Sequence, residues 1–179
     1  MNIDTIIESF QRPIAEIEYM RTVYGRAMTF QEQWADGELV QVPKVRLEDN
    51  EYVVPLPVDL NEPIVFFQAV GTEQYDQFDR DNIGGINRQI ALTWWGKIDV
   101  RSLESVKFDV ISVLQGSGYV SSIDTYVDER YQDVFPDFLP YLSVREREQS
   151  TQWLMAPWGG FRLTFTVSYG QIMEGCDDY

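Results

Sequence analysis

"FRLTFTVSY", residues 161–169, places Phe161, Leu163, Phe165, Val167 and Tyr169 in strict alternation with Arg162, Thr164, Thr166 and Ser168. A period of two turns successive side chains to opposite faces of a strand, so this stretch predicts a sheet with one packed and one polar face. The packed face needs a cover. The best one is "SLESVKFDVISVLQG", residues 102–116, with Ser102 as N-cap and Leu103, Val106, Val110, Val113 and Leu114 as one apolar stripe. Gly116 is the expected left-handed end of that helix.

Upstream, "PIVFFQAVG" (63–71) is an apolar run of strand length, suited to burial on both faces. In "INRQIALTWWGKID" (86–99), Ile90, Leu92 and Trp94 point one way, while Trp95 falls with Gln89, Ala91 and Thr93 on the more polar side, where an exposed or half-exposed tryptophan is expected. "GYVSSIDTYVDE" (118–129) reads as a further strand, with Tyr119, Ile123 and Val127 on one face. At the other end, "MNIDTIIESFQRP" (1–13) predicts an amphipathic helix carrying Ile3, Ile6, Ile7 and Phe10. Asp4 serves it as N-cap or first-turn acid, and Pro13 is expected to stop it. Residues 14–24 fit either period and lean to strand on their branched and aromatic content; residues 35–63, punctuated by Pro43, Pro55, Pro57 and Pro63, read as looping, edge or arm-like strands. The expected architecture is α+β, a mainly antiparallel sheet with helices packed on one face. It forms one domain over 1–179: a helix and Pro-rich arm over 1–62, and a core over 63–179 interrupted by a long insertion at 131–160.

A chain of 179 residues has the length for one core that buries about two-thirds of its unfolded surface. The formal charge of −15 is spread along the chain, and the nearest basic cluster, Arg145 and Arg147, is interleaved with Glu146 and Glu148. Phosphate-driven binding to nucleic acid is therefore opposed. Cys176 alone gives no intrachain disulfide, which suits a reducing compartment. Neither a secretory leader nor an apolar run long enough to span a bilayer is expected.

"YDQFDRDNIGGINRQ" (75–89) gathers Asp76, Asp79 and Asp81 ahead of Gly84 and Gly85. Read as a calcium loop from Asp79, it has Asp81 third and Gly84 sixth but Ile83 fifth and Ile90 twelfth, where oxygen ligands belong. Read as an acid/base pair, it lacks desolvation and has Arg80 and Arg88 beside it, which keep the carboxylates ionised. A strand-connecting turn with the glycines at positive φ is the remaining reading. The absence of histidine removes the commonest general base and zinc ligand, and no nucleophile elbow, P-loop or dinucleotide fingerprint occurs. A non-catalytic protein without cofactor or metal is expected. Its candidate contact residues are the turn acids Asp76, Asp79 and Asp81, the tryptophans Trp95, Trp153 and Trp158, and Arg145 and Arg147, with Trp94 assigned to the core.

The order of "PIVFFQAVG", the aspartate loop, "NRQIALTWWGKID", the 102–116 helix, "GYVSSIDTYVDE" and a terminal "WGGFRLTFTVSYG" resembles the tail terminator, or tail completion, proteins of tailed bacteriophages over residues 60–170. The resemblance implies a tail-terminator-like fold and a structural virion protein, assembled in the bacterial cytoplasm. That family forms rings that cap the tail tube and join it to the neck, with no catalytic or cofactor residues to carry over. The expected partners are further copies of the chain in a six- or twelve-fold ring, tail tube and portal or neck proteins, and genomic DNA passing through the lumen without specific binding. No membrane partner is expected. The longer Pro-rich N-terminal region and the insertion at 131–160 depart from the pattern, and a neighbouring head-tail connector or neck ring fits nearly as well. The alternative is a non-catalytic acidic protein–protein interaction module.

Overall fold

The computed structural model describes residues 2–20, 22–33, 37, 39–47, 51–55, 63–75, 85–99, 101–128, 134 and 157–170. It is α+β and mostly sheet: helix α1 (Ile3–Ala15), strands β1 (Thr22–Gln33), β2 (Leu39–Arg46), β3 (Tyr52–Val53), β4 (Ile64–Tyr75) and β5 (Gly85–Lys97), helix α2 (Leu103–Gly116), and strands β6 (Val120–Asp128) and β7 (Trp158–Gly170). One mixed seven-stranded sheet runs in the order β3-β2-β1-β4-β5-β7-β6. Neighbours are antiparallel except β1 and β4. The last strand slots between β5 and the edge strand β6, so α2 crosses from β5 to β6 over β7.

Both helices share one apolar cluster with one face of the sheet. Ile3, Ile6, Ile7, Phe10 and Ile14 of α1 and Val106, Val110 and Leu114 of α2 meet Val65, Phe67, Ile90, Leu92, Trp94, Phe161, Phe165 and Val167. Phe10 stacks on Phe67 at 6.2 Å between ring centroids and meets Phe165 edge-on at 5.9 Å, while Trp94 lies nearly parallel to Phe161 at 5.5 Å. Trp94 is thus a core residue, as its spacing suggests, and Leu103 and Val113 flank the α2 stripe from partly buried positions.

The N-terminal helix departs from expectation. Asn2 caps it, accepting the Thr5 amide at 2.9 Å, and Asp4 in the first turn instead pairs with Arg26 of β1 at 2.9 Å. Pro13 does not stop α1: the helix runs two residues past it to Ala15, giving up the one ladder bond that proline cannot donate while Ile14 is fully buried. Residues 14 and 15 are therefore helix, and the strand leaning holds only from Thr22 onward. At the end of α2 the left-handed residue is Gly118, at φ 76°, rather than Gly116. The Pro-rich residues 39–46 and 52–53 are strands that extend the sheet beyond β1. Gly85 opens β5.

The sheet does not have one polar face throughout. Ile64 and Phe66 alternate with Val65 and Phe67, and on this second face Ile64, Phe66, Val45, Trp95, Trp158 and Val134 close a separate apolar cluster. Of the run 63–71, Ile64–Phe67 are covered on both sides, as their unbroken apolar character predicts, while Gln68–Val70 are half-buried and Gly71 is exposed.

Candidate functional site

Of the proposed contact residues, Asp76, Asp79, Asp81, Arg145, Arg147 and Trp153 lie outside the described residues. Trp95 and Trp158 are described, and the expectation of an exposed or half-exposed Trp95 is wrong. Its side chain is 1% exposed, at the centre of the second cluster. The alternation placed it correctly on the face opposite Trp94; the error lay in taking that face to be bare, whereas Val45 from the Pro-rich region and Val134 from the insertion cover it. Trp158 is buried in the same cluster, with the Lys97 ammonium 5.9 Å from its ring centroid. Neither tryptophan is available to a partner in this fold.

What the sheet does present is a fork. The first half of β1 pairs in parallel with β4, from Thr22 opposite Ile64 to Ala27 opposite Gln68. Beyond that point the strands part. Met28–Gln33 of β1 pair with Leu39–Lys44 of β2, forming a two-stranded ribbon, while Ala69–Tyr75 of β4 stay with β5. Glycine accommodates an irregularity in the second prong: Gly71 has φ 67°, and the β4–β5 register shifts between Val70 and Gln74. On the ribbon, Phe30 packs against Tyr52 of β3 at 4.8 Å, and Lys44 forms an ion pair with Glu32. A groove of about 500 Å³ separates the ribbon base from α1, lined among others by Asp4, Glu8, Gln11, Arg26 and Tyr52.

On the same face as Trp95 but further along β5, the sheet is polar. Ser168 donates to Asn87 Oδ1 at 2.6 Å, and Asp124 of β6 accepts from Ser122 (2.6 Å), Thr166 (3.0 Å) and Gln89 (3.4 Å). The Ser122 hydroxyl, the largest influence, outweighs the opposing desolvation and with Thr166 and Gln89 holds the Asp124 carboxyl below the usual carboxylate range. Where β4 ends and β5 begins, Arg88 pairs with Glu73 at 3.8 Å and Tyr75 donates to Glu73 at 2.8 Å. That hydrogen bond raises the Tyr75 hydroxyl pKa, and burial raises that of Tyr169. Arg88, expected to neutralise the aspartate loop, thus has Glu73 as a partner.

Among the described residues no group of three His, Cys, Asp or Glu side chains is arranged to hold a metal, and no helix is long and apolar enough to cross a membrane. Sequence reasoning missed the ribbon and the Asp124 tract. The alternation of Met28, Phe30 and Glu32 with Thr29, Gln31 and Gln33 was the available signal for the first; for the second there was none, because its members come from three strands. The chain matches no protein-family model and no curated protein sequence.

Proposed function

We propose that the chain is a structural virion protein of a tailed bacteriophage, with a tail-terminator-like fold, that forms a ring at the head-proximal end of the tail and joins the tail tube to the neck. The ribbon of Met28–Gln33 and Leu39–Lys44, which among the described residues parts from β4 and pairs strand to strand with itself, is the observation that carries this reading. A two-stranded ribbon is marginal in water and an uncovered edge is a liability, so such an element is retained where a neighbouring subunit uses it. The strand and helix order over residues 60–170, which resembles that of tail terminators, supports the same reading. The ring partners are further copies of this chain, tail tube and neck proteins. A net charge of −15 fits a lumen through which DNA slides without adhering.

The test is negative-stain electron microscopy of the purified chain, alone and mixed with tail tubes. Closed rings that seat on one end of the tubes are expected; dispersed particles that neither close nor dock would refute the reading.

A further inference from the structure

We infer that the fork between β1 and β4 is where a second copy of this chain docks, adding an extended segment by main-chain hydrogen bonding to the inner edge of the ribbon. The inference rests on the ring reading and names the surface through which that ring would close.

Pro43 fixes the direction in which the ribbon offers its hydrogen bonds. Pro43 lies opposite Thr29 in an unbroken register from Met28–Lys44 to Gln33–Leu39. Lacking an amide hydrogen, proline cannot complete a hydrogen-bonded antiparallel pair, so Thr29 and Pro43 form a pair of the other kind. Because the two kinds alternate, Thr29, Gln31 and Gln33 all turn their amides and carbonyls away from β2 and into the fork. Among the described residues nothing pairs with them there, and all three residues are exposed. The outer edge of β2 is weaker by the same logic. Pro43 removes a donor from it, and β3 covers it at Val45 and Arg46. The facing prong is open as well, with Gly71–Tyr75 exposed along their length.

Charge selects the occupant. A chain with 29 acidic and 14 basic residues repels its own copies wherever its acids are unbalanced. Among the described residues the two strands of the fork carry balanced charge: Thr29, Gln31 and Gln33 on β1 and Thr72 and Gln74 on β4 are uncharged, and the acids Glu32 and Glu73 are paired with Lys44 and Arg88. An acidic second copy can therefore approach here without repulsion. An extended segment laid on this edge makes a head-to-tail contact between unlike surfaces, which forms a ring where the rotation from copy to copy closes and an open filament where it does not.

The experiment compares the wild-type chain, Gln31→Pro and Gln41→Pro by native mass spectrometry over a wide concentration range, with circular dichroism to confirm folding. Gln31 and Gln41 are opposite each other in the ribbon and both are exposed. Gln31→Pro removes a donor aimed into the fork, and Gln41→Pro removes one aimed outward. Gln31→Pro is expected to raise the concentration needed for assembly at least tenfold with the fold intact, while Gln41→Pro assembles like wild type. Amide exchange on the wild type adds a readout independent of the variants: Thr29, Gln31 and Gln33 become protected on assembly. Assembly unaffected by Gln31→Pro overturns the inference and leaves the ring reading standing. Sensitive assembly into open chains or dimers keeps the fork and removes the ring. A wild type that stays monomeric, or edge amides already protected in the dilute monomer by the chain's own segments, overturns the inference.

Discussion

Gly160 of β7 sits directly opposite Trp95 of β5, and there is no room for a side chain between them. A Cβ on Gly160 would fall inside the van der Waals surface of the Trp94 carbonyl oxygen and of Trp95 Cε3, 3.1 Å from Trp95 Cα. The glycine lets the indole lie flat across the neighbouring strand, which is how the second face of the sheet closes. Gly160→Ala should therefore destabilise the protein by more than about 2 kcal/mol, since backbone rather than a flexible side chain must move. Urea unfolding followed by tryptophan fluorescence measures this, and a change below about 0.5 kcal/mol would contradict the packing described.

Trp95→Ala should behave as a core truncation, costing about 3–5 kcal/mol in dilute solution. If Trp95 were a contact residue, the same change would leave the monomer's stability intact and weaken only its assembly. Unfolding at a concentration where the chain is monomeric separates the two.

Thr93 is fully buried, opposite Phe66 on β4 and Arg162 on β7, and its hydroxyl has no hydrogen-bond partner among the described residues. Replacing it with the near-isosteric valine removes an unsatisfied polar atom. Thr93→Val is expected to leave stability unchanged or raise it by up to about 1 kcal/mol. A clear loss in thermal unfolding would mean that the hydroxyl is bonded.

Tyr19, between α1 and β1, holds φ 78°, a conformation that disfavours side chains, and its ring lies 5.8 Å from the Arg101 guanidinium carbon. Tyr19→Ala keeps the backbone cost and loses the ring contact, whereas Tyr19→Gly loses the contact but removes the cost. The alanine variant should be the less stable by about 1 kcal/mol, and the reverse order in melting temperature would contradict this account.

Asp124 predicts a pH dependence. A carboxyl whose folded pKa lies below its unfolded value contributes stability that is complete above the unfolded pKa and is lost as the pH falls through the folded one. The wild type should therefore lose stability relative to Asp124→Asn as the pH drops below about 4. Melting curves between pH 3 and 6 test this; parallel profiles for the two proteins would show that Ser122 and Thr166 do not hold the charged form.

Much of the core was legible because each of its strands carries its own signal. Phe161 to Tyr169 alternate, Ile64 to Phe67 are apolar without a break, and Ser102 caps a helix whose stripe reaches Leu114. The misread positions are those decided by another part of the chain. Helix α1 runs past Pro13 with Ile14 buried in the core, and Val45 and Val134 cover Trp95 from segments distant in sequence. The fork was illegible for the same reason. Pro43 signals an edge locally, but that Thr29, Gln31 and Gln33 face an unfilled slot depends on where β4 parts from β1, beyond Gln68.

Self-assembly is the central claim, and native mass spectrometry of the wild-type chain over a wide concentration range tests it most directly. The account predicts a discrete closed species of six or twelve copies that persists on dilution. A strict monomer at every concentration would contradict it and leave an acidic interaction module as the better description.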